Sequence, residues 1–303
     1  SVLEQMRDEL MDYRGNGMSI MEMSHRGKVF IELAKQSEAR LRRLMTIPDD
    51  YTVLFLPGGA QMMFSAVPMN LLRPNLPGGY VVTGSWSDKA VQSAAAYGEA
   101  KVLASSAERF DYAPAQSEWL AHDGLSYVHY TPNETIGGVE FHWTPDTGDV
   151  PLVADASSNI LSRPMPVERH AVIYAGAQKN IGISGLALVI IRNDLLDVAP
   201  HATTPGVLNF KRQAGADSML NTPATYPWYV ANLVFGWLED QGGVTEMATR
   251  NERKARTLYE SIDNSNFYAS PVRLSDRSRM NIPFTLVDST LDGAFLAGAE
   301  AEG

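Results

Sequence analysis

The chain has 303 residues, 45% hydrophobic and 20% charged, the composition of a globular protein long enough for two lobes. Its formal net charge of −10, without a long run of Lys and Arg, argues against nucleic-acid binding. No apolar run approaches the roughly 20 residues that cross a bilayer, and the absence of cysteine excludes disulfides and thiolate metal sites. These features favour a cytoplasmic protein with no membrane partner.

The first elements in chain order are two predicted helices, a strand and a third helix. Residues 3–12 have the pattern of an amphipathic helix, and residues 24–45 that of a longer one with Ser24 as its N-cap. A short buried strand is predicted for residues 51–56, followed by a helix over residues 60–72.

Six further strands are predicted before residue 192. They span residues 79–83, 100–104, 126–130, 152–155, 171–175 and 186–191. Several are continuous apolar runs, as expected for strands that are covered on both faces. Strands that alternate with helices predict an α/β layer fold with a mainly parallel mixed sheet.

The last quarter of the chain has a different pattern. Helices are predicted for residues 228–241 and 244–261, and Gly242 and Gly243 separate them. A strand is predicted at residues 281–286, close to the last residue of the sequence. We therefore predict a large domain over residues 1–243 and a smaller, incomplete α+β lobe over residues 244–303.

The segment around Lys179 is the strongest candidate for chemistry. A buried strand runs into small residues, and Lys179 follows its end with Gly176 and Gly182 on either side. Ligands of α/β sheets bind at the carboxyl ends of strands. A lysine there can present its amine to a carbonyl compound and lose its proton through desolvation. The alternative is an exposed lysine in a surface loop.

Asp155 is the last residue of the strand predicted at residues 152–155, and the next predicted strand, residues 171–175, leads to Lys179. It lies 24 positions before Lys179, room for one crossover between neighbouring strands. A carboxylate there can pair with a protonated pyridine nitrogen and keep a cofactor ring electron-withdrawing. The alternative is an aspartate that caps the turn after a strand.

Several other segments are candidates for phosphate or anion binding. The turn Pro57-Gly58-Gly59 opens a helix at Ala60 and Gln61, where free backbone N–H groups can hold a phosphate. A plain connector is the alternative. Asn221 and Thr222 could donate to a phosphate or cap a helix, and His25 with Arg26 could clamp a carboxylate or lie in solvent.

Two residues are candidates for contacts with a planar ring. Trp86 could stack on such a ring or be a core aromatic, and Thr135 could bond a ring hydroxyl or end a turn. The six histidines show no pair at metal-ligand spacing, so no metal is predicted.

Four segments together resemble one known family. They are Met-Glu-Met-Ser-His-Arg-Gly (21–27), His-Tyr-Thr-Pro-Asn-Glu-Thr (129–135), Tyr-Ala-Gly-Ala-Gln-Lys-Asn (174–180) and Asn-Thr-Pro (221–223). In this order along the chain they look like the phosphoserine aminotransferases, the serine-biosynthesis branch of the class V, fold-type I aminotransferases. The resemblance implies a fold-type I large domain and pyridoxal 5′-phosphate as cofactor.

The resemblance also implies roles for the residues that match the family's cofactor site. Lys179 would hold the cofactor as a Schiff base and Asp155 would pair with the pyridine nitrogen. Trp86 would stack on the ring, and Thr135 would bond its hydroxyl. Gln178, with Ala60 and Gln61 at the helix start, would contact the phosphate.

Other roles that the resemblance implies require a second copy of the chain or concern the substrate. Asn221 and Thr222 would reach the phosphate of the neighbouring subunit's cofactor, so the chain would act as a homodimer with shared active sites. Arg26, with His25, would hold an anionic group of the substrate. The implied substrates are glutamate and a phosphorylated 2-oxo acid, 3-phosphohydroxypyruvate. The resemblance also implies 4-phosphohydroxythreonine, in pyridoxine synthesis, as a further substrate.

The sequence departs from the family pattern at three places. Members begin with a short segment and end with a Gly-Met-Arg-Ala-Ser-type segment preceded by His-Arg, and this sequence contains neither. Some bacterial members have Arg where Gln61 stands. Two alternatives therefore stay open: another class V aminotransferase with a different amino acid, and a truncated copy that binds cofactor without turnover.

Overall fold

The computed structural model describes residues 1–303, which form eight α-helices and nine strands. The helices are α1 (Val2–Asp8), α2 (Lys28–Met45), α3 (Ala60–Leu71), α4 (Ser85–Ala94), α5 (Phe210–Ala214), α6 (Thr225–Asp240), α7 (Gly243–Asp263) and α8 (Asp292–Glu302).

Seven strands form one sheet. They are β1 (Tyr51–Gly58), β2 (Gly78–Val82), β3 (Ala100–Ser105), β4 (Tyr127–Tyr130), β5 (Leu152–Asp155), β6 (Val172–Gly176) and β7 (Gly185–Arg192). Their order is β1-β7-β6-β5-β4-β2-β3. The pairs β3–β2, β2–β4, β4–β5 and β5–β6 are parallel, whereas β7 runs antiparallel to both of its neighbours. The predicted α/β fold with a mainly parallel mixed sheet is therefore confirmed.

The sheet separates two apolar clusters of 41 and 21 buried residues. Alternate residues of the same strand belong to different clusters; on β7, Leu188 and Ile190 lie in the larger and Val189 and Ile191 in the smaller. Both faces are thus covered, which explains why these strands are continuous apolar runs.

Two predicted helix bounds, one start and one end, were wrong. Helix α2 begins at Lys28, after an extended Gly27, rather than at an N-cap formed by Ser24. The Ser24 hydroxyl instead accepts the Arg26 N–H at 3.2 Å, which closes a local turn. The first helix ends at Asp8, four residues before the predicted end.

The C-terminal region forms a small second sheet. Strands β8 (Tyr268–Ala269) and β9 (Thr285–Leu286) pair antiparallel, so the strand predicted at residues 281–286 is much shorter than expected. Helices α6 and α7 meet at Gly242 and Gly243, both with positive φ. The lobe boundary at residues 243 and 244 stays a prediction. None of the helices combines the length and apolar character that a membrane crossing requires.

Candidate active site

A cavity of about 200 Å³ lies at the carboxyl ends of β5 and β6. Most of its lining residues are polar, and they come from five separate segments of the chain. They are Gly59, Ala60, Gln61, Trp86, Thr131, Asn133, Thr135, Asp155, Ser157, Ser158, Gln178 and Lys179.

Lys179 and Asp155 line this cavity together. Their strands are parallel neighbours, with Asp155 in register with Tyr174, and Lys179 follows the end of β6 by three residues. The Lys179 amine donates a hydrogen bond to the Thr135 hydroxyl, which turns the lysine towards the opposite wall. The expectation that the amine and the carboxylate share one cavity is therefore met.

Asp155 presents one free carboxylate oxygen. The residue is 3% exposed, and its Oδ1 accepts the Ser157 N–H at 3.0 Å and the Ser157 hydroxyl at 2.5 Å. No protein donor reaches Oδ2. Burial raises the pKa of Asp155, while the Ser157 donors and the nearby Lys179 oppose that rise. A cation facing Oδ2 would further stabilise the ionised carboxylate.

The lysine has the electrostatic environment of a proton acceptor. Partial burial lowers the pKa of Lys179, and the negative charges of Asp155 and Glu134 oppose that shift. The amine is thus deprotonated more readily than an ordinary surface lysine.

Helix α3 presents an open N-terminus to the cavity. Its first residue, Ala60, follows an extended Gly59, and no side chain caps the first turn. Backbone N–H groups at such an end attract anions. The end of β6 packs closely here, since a Cβ on Gly176 would lie 3.1 Å from the Ala60 nitrogen and 2.7 Å from Gln178 Oε1.

The remaining walls carry unsatisfied polar atoms. Trp86 Nε1, Thr131 Oγ1 and Asn133 Oδ1 are buried without a hydrogen-bond partner. Such atoms each cost about 1 to 3 kcal/mol unless water or a ligand satisfies them. These three residues line the cavity, whose mainly polar walls suit a polar ligand.

Four of the predicted site residues lie elsewhere in the single chain. His25 and Arg26 border a separate cavity of about 660 Å³ that Trp228 also lines, because they precede α2 near the β1 edge of the sheet. Asn221 bonds Gln213 at 3.1 Å, and neither it nor Thr222 lines the Lys179 cavity. Within one chain His25 and Arg26 do not line the Lys179 cavity, and their binding of an anionic group of the substrate stays a prediction.

Sequence reasoning missed several lining residues. Ser157 and Ser158 follow Asp155 directly, and Thr131 and Asn133 belong to the same loop as Thr135. A cluster of Ser, Thr and Asn after a strand end is the signal that could have identified them. No group of three or more His, Asp or Glu residues has the arrangement of a metal site.

A family model described as aminotransferase class-V matches residues 1–302. The chain therefore belongs to the class-V aminotransferase family, and it is a pyridoxal-phosphate-dependent transaminase.

Relatives at high sequence identity indicate the branch of this family. Phosphoserine aminotransferases of Pseudomonas aeruginosa strain PAO1 and Nitrosomonas europaea are each 53% identical, over 305 and 310 residues, covering 100% of this chain and 84% of the relative.

Solved structures agree with the sequence relatives. The phosphoserine aminotransferase of Bacillus circulans subsp. alkalophilus superposes with a TM-score of 0.96 at 42% identity, covering 100% of this chain and 84% of that one. The pyridoxal-phosphate-bound phosphoserine aminotransferase from Trichomonas vaginalis superposes with a TM-score of 0.94 at 35% identity, covering 99% of this chain and 86% of that one.

Proposed function

We propose that this chain is a phosphoserine aminotransferase, which transfers an amino group between glutamate and 3-phosphohydroxypyruvate in L-serine biosynthesis. The observation that carries the proposal is the presence of both Lys179 and Asp155 in one cavity at the carboxyl ends of adjacent parallel strands. The relatives named above, which match the whole chain, support the substrate assignment. Cytoplasm is the location expected for such a metabolic enzyme, and cell fractionation would test it.

The lining residues fit pyridoxal phosphate. The free Oδ2 of Asp155 suits a protonated pyridine nitrogen, and Trp86 and Thr135 offer a ring face and a hydroxyl partner. The open start of α3 at Ala60 and Gln61 suits the phosphate, with Gln178 beside it. When bound, the cofactor supplies an electron sink for the carbon that bears the amino group.

The proton chemistry is assigned to Lys179. Its lowered pKa leaves a larger fraction of the amine neutral, so it can take the α-proton from the amino acid as a general base. Acting then as a general acid, the same amine would deliver that proton to the cofactor's aldehyde carbon rather than back to the α-carbon. The Thr135 hydroxyl, which accepts from the amine, holds it over the cavity between these steps. Asp155 would face a protonated ring nitrogen, and that positive charge would favour the ionised carboxylate that holds it.

We also propose that the active unit is a homodimer with shared sites. Asn221 and Thr222 of one subunit would complete the phosphate site of the other, while Arg26 with His25 would bind the substrate's anionic group. In support, the Lys179 cavity contains no Arg, although both substrates are anionic. Arg26 is exposed and forms no ion pair within its own chain.

The cofactor assignment is tested by absorbance spectroscopy. The purified protein should show the visible band of lysine-bound pyridoxal phosphate, and glutamate should shift it. Lys179→Ala should lose the band and the conversion of phosphoserine with 2-oxoglutarate. Lys211→Ala should retain both, because Lys211 is exposed and bonds only Asp197. An unchanged spectrum in Lys179→Ala would refute the proposal.

The shared-site arrangement is tested by mixing two inactive variants. Lys179→Ala and Asn221→Ala should each lose activity alone. After refolding as a 1:1 mixture, half of the dimers would be mixed and would carry one intact site each, restoring about one quarter of wild-type activity. No recovery, although differently tagged copies of the two variants co-purify as mixed dimers, would contradict the arrangement.

A further inference from the structure

Glu134 is fully buried beside the active-site cavity, and the proposed reaction gives it no role. Its exposure is 0%. The carboxylate accepts three hydrogen bonds from the first turn of α4: from the Ser87 N–H at 2.9 Å, the Ser87 hydroxyl at 2.6 Å and the Trp86 N–H at 3.2 Å. Burial raises the pKa of Glu134, and these donors oppose the rise. The carboxylate therefore serves as an external cap for α4.

The backbone of Glu134 belongs to a different wall of the cavity. Its two chain neighbours, Asn133 and Thr135, both line the cavity. The Glu134 N–H donates to the Val139 carbonyl at 2.8 Å, and its own carbonyl accepts the Gly138 N–H at 2.9 Å. This tight loop fixes the residue, so its side chain joins the Thr135 wall to the Trp86 wall.

The fit of Glu134 against α4 leaves no spare room. A Cβ on Gly84, the residue before α4, would lie 2.4 Å from Glu134 Cδ. Because Gly84 has no side chain, the carboxylate can approach the helix end directly. The start of α4 is thus occupied by a charge from within the chain, whereas the start of α3 has no side-chain cap.

We propose that Glu134 is a positioning residue that holds Trp86 and Thr135 at a fixed separation across the cavity. By filling the start of α4 it also leaves the start of α3 as the place for an anionic group. This inference deepens the proposed function and rests on it, because the ligand that the two walls hold is the cofactor.

The test compares two substitutions that each remove one negative charge from the same helix end. Glu134→Gln keeps the shape but places an amide NH₂ group against a backbone N–H, so one of the three bonds must be lost. Asp88→Asn is the matched control, since Asp88 lies in the first turn of α4 and its carboxylate bonds only Gln92.

The readouts are cofactor affinity and hydrogen exchange. Glu134→Gln should weaken pyridoxal phosphate binding by about tenfold or more, as expected when a charge-assisted bond is lost. In the cofactor-free protein, exchange of the peptide that covers residues 84–90 should also accelerate, and Asp88→Asn should leave both unchanged. If Glu134→Gln stays within about twofold of wild type on both readouts, or if Asp88→Asn shows the same losses, the proposal is overturned.

Two further results keep the outcome clear. If Glu134→Gln fails to fold, Glu134→Asp, which keeps the charge on a side chain one carbon shorter, should give a smaller loss on the same readouts, and no loss would overturn the proposal. If wild type binds cofactor but does not convert phosphoserine, the proposed function fails. The exchange of residues 84–90 would then still decide the role of Glu134.

Discussion

The support that Ser157 gives to Asp155 offers the sharpest test of the site. The Ser157 hydroxyl donates to Asp155 Oδ1 at 2.5 Å and accepts the Gly176 N–H at 3.0 Å. Ser157→Ala removes both interactions but keeps the backbone N–H that also bonds Oδ1. The substitution therefore weakens the hold on the carboxylate without moving the chain that carries it.

The two losses have different consequences. A hydrogen bond to a charged group contributes about 1.5 to 3 kcal/mol, so cofactor binding should weaken by about tenfold to a hundredfold. The orphaned Gly176 N–H costs about 1 to 3 kcal/mol and should lower the melting temperature of the cofactor-free protein by several degrees. With one donor fewer, the pKa of Asp155 should rise further, so cofactor should be released at a higher pH than from wild type when the solution is acidified.

The assay is a titration of cofactor-free protein with pyridoxal phosphate, followed by visible absorbance at several pH values. Ser162→Ala is the control, because Ser162 is also buried and its hydroxyl bonds the Asn159 carbonyl instead. Ser157→Thr, which keeps the hydroxyl, should recover part of the affinity. If Ser157→Ala binds cofactor as tightly as the Ser162 control over the whole pH range, the hydroxyl does not support the carboxylate and the reasoning fails.

Three other substitutions have defined expected results. Asp155→Asn should abolish transamination yet raise the melting temperature of the cofactor-free protein at neutral pH. Folding raises the pKa of Asp155, so the ionised carboxylate costs stability above that pKa. A lower melting temperature in the variant would contradict this sign. Gly176→Ala should weaken cofactor binding by about tenfold, because the added Cβ would press on the Ala60 nitrogen. Binding equal to wild type in the same titration would contradict the close approach of Gly176 to the start of α3. Gln61→Arg should strengthen binding of inorganic phosphate to the cofactor-free protein by about tenfold. Calorimetry measures this affinity, with Gln61→Met as the control. Equal affinities of the Arg and Met variants would place Gln61 away from the anion.

The strands could be predicted from the sequence because burial on both faces makes them short, continuous apolar runs. Residues 152–155 were predicted with the bounds that β5 has. The positions of Asp155 and Lys179 followed, since residues at the carboxyl ends of neighbouring parallel strands must lie at one edge of the sheet.

Helix α4 could not be predicted in this way. Its buried positions are Ser87, Ala90 and Ala94, small residues that give no apolar stripe at helical spacing. Its start is stabilised by Glu134, which lies 47 positions away from Ser87 and is invisible to local pattern. The placement of His25 and Arg26 was equally hidden, because it depends on how the turn before α2 packs near the sheet edge.

The residues at the ends of β5 and β6 and the residues of the cavity walls differ in how freely their positions and side chains can change during evolution. Asp155 belongs to a strand hydrogen-bonded to its neighbours, and Lys179 follows the adjacent strand directly, so small sequence drift cannot alter their spacing. Trp86, Thr135 and Gln61 belong to helix starts and a loop, which can shift or exchange side chains while the sheet stays intact. An engineer who seeks a new amino-acid substrate for this scaffold should therefore leave β5 and β6 untouched and vary wall positions that do not hold the cofactor.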